Sequence, residues 1–263
     1  KRPTVWGTMV PYLSGVMVVT PWGYVSDYSV DEANQAFPGA PFFPTDIARE
    51  LVKTYGKWHG GFIGRGLTGA GALEISEDAE KDVKNQDAFM EELQNNKFPF
   101  LQKFQDRTNL QLVFALEPAY QNAQGLSEIV MFDAGTGKFR VWAVPGTPKS
   151  GKVIEYAGAD AAADAIRQGD PGVGNWENSM SVEPRLVYKN GRGLYWLYGV
   201  ISHGLKSQTD GSYVMSAIVN AQTLQAYPFR TIDQLNRFLE LDSDPPATNY
   251  WNNLSQSPAL PAK

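Results

Sequence analysis

Few residues in this chain have the types and spacing that catalysis or cofactor binding needs. Gly64-Arg65-Gly66-Leu67-Thr68-Gly69 satisfies the dinucleotide-binding string as letters. That chemistry needs a buried strand just before the glycines and a helix opening within them, so that the helix N-terminus meets the pyrophosphate. The lead-in Gly56-Lys57-Trp58-His59-Gly60-Gly61 is no core strand, and Ala70-Gly71-Ala72 starts a helix poorly. The string therefore reads as a glycine loop. Gly135-Thr136-Gly137-Lys138 lacks the first glycine of a phosphate loop, and Phe139 stands where Ser or Thr would bind Mg²⁺. It reads as a hairpin turn.

The nucleophile and acid–base candidates are equally sparse. Ser202-His203 has no strained Gly-x-Ser-x-Gly elbow around it. Trp58-His59 places the other histidine beside glycines, where a hydrogen-bonded structural role is expected. Glu74, Glu77, Asp78 and Glu80 form one acidic run, and Asp242 and Asp244 another. Neither has calcium-loop spacing. Asp78 and Asp82, four apart, repel one another unless solvated. A solvated acidic face is the reading. No catalytic set, cofactor site or metal site is expected.

Composition narrows the classes further. The chain has 263 residues, a formal charge of -5, 43% hydrophobic residues and no cysteine. That apolar content supplies a core and excludes wholesale disorder. A net negative charge offers no field for a nucleic-acid backbone, so no nucleic acid is expected as a partner. Without cysteine there are no disulfides, thiol nucleophiles or thiolate zinc sites.

The elements that must position any site begin with an uncharged run, Val5–Ser26, preceded by Lys1 and Arg2 and followed by Asp27, Asp31 and Glu32. It is long enough to cross a bilayer, and its flanks suit an N-in, C-out anchor. Pro11, Pro21, Gly7, Gly15 and Gly23 weigh against one helix. The other reading is a pair of buried strands, or an apolar arm on a partner. Trp6, Tyr12, Leu13, Val16, Val18, Val19 and Trp22 are the candidate anchor residues for a membrane or a partner. Residues 33–44 read as a Pro/Gly-rich linker.

Beyond it, Thr45 is expected to cap a helix with Ile47, Ala48, Leu51, Val52 and Tyr55 on one face. Gly56–Gly71 reads as a loop, and an acidic helix is expected from Ser76 to about Asn95. Alternation from Asn109, then Ser127–Asp133 and Lys138–Val144 around Ala134-Gly135-Thr136-Gly137, predicts strands and a hairpin. Gly151–Tyr156 reads as a further strand and Ala159–Arg167 as an Ala-rich helix. Arg185–Tyr188 and Leu194–Ile201 flank Asn190-Gly191, a hairpin signal. Tyr213–Asn220 and Gln225–Tyr227 make a last pair, and Thr231-Ile232-Asp233-Gln234 is a capping box. Residues 243–263, rich in proline, read as a tail lying over a surface.

Two segments share a pattern. Glu117-Pro118, a strand and Asp133-Ala134-Gly135-Thr136-Gly137 parallel Glu183-Pro184, a strand and Asn220-Ala221-Gln222-Thr223-Leu224. The second segment carries an extra hairpin-rich insertion of about twenty residues, which loops tolerate at low entropic cost. The predicted fold is α+β: antiparallel sheets with packed helices, as two related helix-plus-meander units. Residues 1–44 form the apolar segment and linker, 45–146 and 147–242 the two units, and 243–263 the tail. The pattern resembles the PepSY type of domain, a cystatin-like extracytoplasmic unit with an Asp-x-x-Thr-Gly turn. Asp133–Gly137 matches that turn, while Asn220–Leu224 departs at the Asp and the final Gly. The resemblance implies binding or inhibition in the cell envelope and carries over no catalytic residue.

The aromatics complete the reading. Trp142, Tyr188, Tyr195, Trp196 and Tyr198 on strands, with Tyr250 and Trp251 in the tail, are the candidate aromatic binding surface. Packing between two layers is the competing account of the strand residues. These features predict a non-enzymatic, membrane-associated or assembly subunit. Its partners are other protein subunits, with a lipid bilayer as a partner for residues 5–26 and the body outside the cytoplasm. The alternatives are a hydrolase acting on carbohydrate or peptide through paired carboxylates and an aromatic cleft, and a soluble ligand-binding module.

Overall fold

A computed structural model describes residues 2–3, 9–10, 13–59, 71–76, 99–104, 107–119, 125–144, 156–169, 179–189, 191–203 and 211–256. The chain divides into two compact units. The first comprises Lys1–Ile75, Phe98–Gln121 and Ser127–Val144; the second comprises Ser76–Lys97, Asn122–Leu126 and Pro145–Lys263.

The first unit opens with two small antiparallel ribbons. Strands β1 (Arg2–Pro3) and β2 (Met9–Val10) pair, as do β3 (Val16–Val19) and β4 (Val25–Tyr28). Helices α1 (Val30–Ala36) and α2 (Thr45–Trp58) follow. A five-stranded antiparallel sheet then forms from β5 (Leu73–Ile75), β6 (Phe100–Gln102), β7 (Gln111–Pro118), β8 (Glu128–Asp133) and β9 (Phe139–Ala143). Strands β5 and β6 share one edge of β7, and β9 forms the opposite edge of the sheet. Strand β7 is buried at seven of its eight positions, which its nearly continuous apolar composition requires.

The second unit holds α3 (Ala159–Gly169) and a four-stranded antiparallel sheet in sequential order. Its strands are β10 (Ser179–Lys189), β11 (Gly193–His203), β12 (Gly211–Asn220) and β13 (Ala226–Phe229). Helices α4 (Ile232–Glu240) and α5 (Ala247–Gln256) close the described chain. This is the predicted α+β architecture.

The two units repeat one another at the level of single hydrogen bonds. Asp133 Oδ1 accepts from the Gly135 and Thr136 amides at 3.0 and 2.9 Å. Asn220 Oδ1 accepts from the Gln222 and Thr223 amides at 2.9 and 3.2 Å. The Ala134 amide donates to the Leu110 carbonyl, and the Ala221 amide to the Leu194 carbonyl, both at 2.9 Å. The carbonyl of Ala134 accepts from Phe43, and that of Ala221 from Ala157, each just before a helix. Those helices bury Ala48 and Val52 in one unit and Ala162 and Ile166 in the other. An Asx turn needs only a side-chain oxygen at its first residue, so Asp and Asn serve alike.

The register extends the equivalence and corrects the expected one. Leu73, Glu74 and Ile75 meet Pro118, Glu117 and Leu116, as Ser179, Met180 and Ser181 meet Ser202, Ile201 and Val200. Phe100–Gln102 and Arg185–Val187 correspond likewise. Glu117 thus matches Ile201, and Pro184 matches Pro99. The extra length lies in the sequence of the first repeat, where residues 76–99 stand between the two matched pairings, against 182–184 in the second repeat. The second unit's β10 carries a register shift there, with Glu183 at φ 53°. A bulge marks the point where the strand admits extra chain.

Other local expectations also shift. Ala33–Ala36 belongs to α1, not to a linker, because Ser29 and Glu32 form a capping box that starts the helix early. Pro44 is the N-cap of α2, with no side-chain cap bond, and Thr45 is its first residue. The helix runs through Gly56 to Trp58. Of the tail expected over 243–263, Ala247–Gln256 forms α5, with Trp251 buried, and 257–263 lie outside the described residues. The Thr231–Gln234 capping box forms as expected. The helix expected over 76–95, the strand expected over 151–156 and the Gly64–Gly69 string lie outside the described residues, apart from Ser76 and Tyr156.

Candidate docking surface

The uncharged run contains the most exposed apolar element described. Proline and glycine, which weigh against a helix, supply a turn instead. The Thr20 carbonyl accepts from the Gly23 amide at 2.9 Å, with Pro21 second in the turn and Gly23 at φ 84°. Pro sets φ for that second position, and glycine takes the left-handed conformation at no steric cost. The Thr20 amide donates to the Tyr24 carbonyl at 2.9 Å and closes the loop. Val16 pairs with Tyr28, Met17 with Asp27, Val18 with Ser26 and Val19 with Val25.

Alternation then sorts the side chains. Val16, Val18 and Tyr28 are half-buried. Tyr28 sets its ring edge-on to Phe37 at 5.7 Å. Outward point Met17, Val19 and Val25, at 66%, 62% and 58% exposure, and Trp22 and Tyr24 at the turn stand at 82% and 74%. An apolar cluster of this kind marks an interaction site in a folded protein. Of the predicted anchor residues, Val19 and Trp22 belong to it, Leu13, Val16 and Val18 are half-buried, and Trp6 and Tyr12 lie outside the described residues. Met17, Tyr24 and Val25 were missed; reading the run with a period of two would have found Met17 and Val25. The described part of the run is strand and turn, not helix. Among the described residues no helix is long and apolar enough to cross a membrane.

At the hairpin's base the surface is acidic. Asp27, Asp31 and Glu32 are exposed. Hydrogen bonds from the Ser29 hydroxyl and amide hold the Glu32 carboxyl below its ordinary range.

The predicted aromatic surface is mostly interior. Tyr195, Trp196 and Tyr198 are fully buried and Trp251 nearly so. The cause is a sheet packed on both faces. Trp196 donates its indole N–H to the Ala157 carbonyl at 2.8 Å, and the Tyr198 hydroxyl donates to the Ala159 carbonyl, beside α3. On the other face Tyr195, Ile218, Tyr227 and Phe229 meet Leu235 and Phe238 of α4, with Tyr250 of α5 half-buried against them. Trp142 is half-buried, and Tyr188 is exposed.

No family model, curated protein or solved structure matches the chain.

Each unit engages one carboxylate in a hydrogen-bonded set. In the first, Glu128 is buried and accepts from the Tyr55 hydroxyl at 2.8 Å, with His59 Nε2 2.9 Å from its other oxygen. His59 Nδ1 lies 3.1 Å from the Gly71 carbonyl, which requires Nδ1 to donate. Desolvation, then the Glu128 hydrogen bond and charge, push the Tyr55 phenol well above its usual range. The structural role expected for His59 matches this bonding.

In the second unit Asp244 accepts from Asn220 at 2.8 Å, Tyr195 at 2.7 Å and Arg192. Burial works against its charge, but those hydrogen bonds and the Arg192 charge hold its carboxyl below the usual range. Burial and Asp244 push Tyr195 up to about 12. Arg192 also donates to the Phe238 and Leu241 carbonyls at 2.8 and 2.9 Å, and its guanidinium lies 4.5 Å from the Phe238 ring centroid. The set fastens the end of α4 and the segment before α5 to Arg192, next to the start of β11. The same unit also has a groove of about 400 Å³ lined by Asp164, Gln168, Gly169, Gln225, Thr248 and Trp251. Among the described residues no cluster of three or more His, Asp or Glu is placed to hold a metal.

Proposed function

We propose that this protein is a non-enzymatic assembly subunit that works by docking, and that the β3–β4 hairpin is its docking element. The observation that carries this reading is the outward face of the hairpin. Met17, Val19, Trp22, Tyr24 and Val25 all lie in water on one short element, each more than half exposed. Burying one large apolar side chain is worth about 1.5–3 kcal/mol, so covering several together rewards a partner strongly. Trp and Tyr are the residues that carry interface energy with little entropy to lose.

The favoured occupant is a protein with an apolar cleft. The acidic base of the hairpin, Asp27, Asp31 and Glu32, repels anionic lipid headgroups and suits a cleft with a basic rim. A membrane-proximal, extracytoplasmic setting accompanies this reading, as the cationic leading residues and the PepSY-like turn suggest. Engagement of both oxygens of Glu128 by Tyr55 and His59 supports a role other than hydrolysis for that group.

Site-specific photocrosslinking of the full chain in its native cells tests the proposal. A crosslinker at position 22 should yield a discrete protein adduct that one at Thr54, an exposed position on α2, does not. Changing Met17, Val19 and Val25 together to Thr should abolish the adduct. Labelling of lipid alone, or no labelling above the Thr54 control, overturns the reading.

A further inference from the structure

The two repeats treat the same sheet edge in opposite ways. In the second unit the edge strand β13 is closed. The register at the turn, where the Asn220 amide donates to the Gln225 carbonyl, turns the backbone groups of Ala226 and position 228 outward. The Ala226 carbonyl is taken by the Trp251 indole N–H at 3.0 Å. Position 228 is Pro, so no N–H exists there. All four residues of β13 are buried.

Among the described residues the equivalent edge of the first unit, β9, is open. Asp133 donates to the Lys138 carbonyl and Val144 to the Ser127 carbonyl, so Phe139, Val141 and Ala143 turn their N–H and C=O groups outward. Among the described residues these groups have no partner. Val141 stands where the second unit has Pro228, and Phe139 where it has Ala226. Four of the five residues of β9 are exposed, with Phe139 at 55%. The strand has neither proline nor bulge, two of the devices that blunt an edge, and Arg140 is its one charged residue.

We propose that β9 pairs antiparallel with β9 of a second copy of this chain, about a twofold axis at Val141. That register sets Phe139 against the partner's Ala143 and Val141 against the partner's Val141, each exchanging hydrogen bonds through the outward groups. The remaining pair is Arg140 against the partner's Trp142. Arg140 is the ionic residue within β9, and a guanidinium on an indole is an attractive pair. An axis at position 140 would instead oppose Arg140 with itself, which like charge disfavours. The axis at Val141 keeps Arg140 from its own symmetry mate and engages all three outward residues, the self-complementary geometry a twofold contact requires. The contact is independent of the hairpin.

The cysteine-free chain makes the test direct. In the full chain, Val141→Cys places the two sulfurs at a facing hydrogen-bonded pair, whose Cα separation of about 5.5 Å suits a disulfide. Mild oxidation should link Val141→Cys into a covalent dimer. Ala143→Cys alone should stay unlinked, and Ala143→Cys with Phe139→Cys should link. Sedimentation of the unmodified chain should show a concentration-dependent dimer. Val141→Pro, which copies a residue the second repeat already tolerates, should raise the dissociation constant about tenfold or more through lost hydrogen bonds. Circular dichroism should show that this variant keeps its fold. A monomer at every accessible concentration overturns the proposal. So does Val141→Cys crosslinking no faster than Tyr188→Cys, an exposed control, or a dimer indifferent to a folded Val141→Pro.

Discussion

Leu224 and Gly137 occupy the same point of the same turn, and both are left-handed, with φ at 56° and 73°. Each donates its amide to the carbonyl of the Asx residue that opens the turn, Asn220 or Asp133, at 2.9 and 2.7 Å. Only glycine takes that conformation without Cβ strain, which costs about 1–2 kcal/mol. Leu224→Gly should therefore stabilise the chain by about 0.5–1 kcal/mol, after the entropic cost of glycine in the unfolded state. The reciprocal Gly137→Leu should destabilise more, since its Cβ would stand 2.4 Å from the Phe43 ring. Urea denaturation of both variants measures this; a destabilising Leu224→Gly contradicts the equivalence of the turns.

Gly56 sits inside α2, where helix propensity alone predicts that alanine gains about 1 kcal/mol. The packing predicts the opposite sign. A Cβ at position 56 would lie 2.4 Å from the Leu73 carbonyl oxygen, a backbone atom in β5. Gly56→Ala should lose about 2 kcal/mol through overpacking, read as a lowered urea midpoint. A raised midpoint would mean that α2 does not lie this close to β5.

Asp244 couples the second unit to acid. Its folded carboxyl ionises more readily than an unfolded one, so protonation favours the unfolded chain. The stability it contributes is full above the ordinary Asp range near about 4 and is lost as pH falls through the folded value. Asp244→Asn should flatten this acid-side slope in denaturation experiments run at a series of pH values. Asp244→Ala should cost about 3–5 kcal/mol at neutral pH, because it leaves the Arg192 side chain, 4% exposed, without its counter-charge. An unchanged slope in Asp244→Asn would show that another carboxylate sets it.

Tyr55 gives the first unit an alkaline counterpart. Its phenol resists ionisation, so its contribution is present below the usual Tyr pKa near about 10 and fades as pH rises through the higher folded value. Tyr55→Phe should remove that alkaline loss and also destabilise by about 1–2 kcal/mol, since buried Glu128 then lacks a donor. Absorbance at alkaline pH, followed with denaturation, reads both. A neutral Tyr55→Phe would mean the Tyr55–Glu128 bond is dispensable.

Local chemistry made much of this protein legible before its fold. The helix over Ala159, Ala162, Ala163 and Ile166, the β10–β11 hairpin and the Thr231–Gln234 cap each depend on contacts a few residues apart, and each forms as its sequence predicts. The two turns at Asp133 and Asn220 were also readable, because an Asx turn is specified by one side chain and its near neighbours. What tertiary structure alone decided was which side of an element meets water. Tyr195, Trp196 and Tyr198 read as either surface or core, and only α3 on one face and α4 on the other make them core. Val16–Val25 read equally as helix or hairpin until the Thr20–Gly23 turn set a period of two, which sends Met17, Val19 and Val25 outward. Burial is a property of what packs against a residue from far along the chain, and spacing along the chain does not contain it.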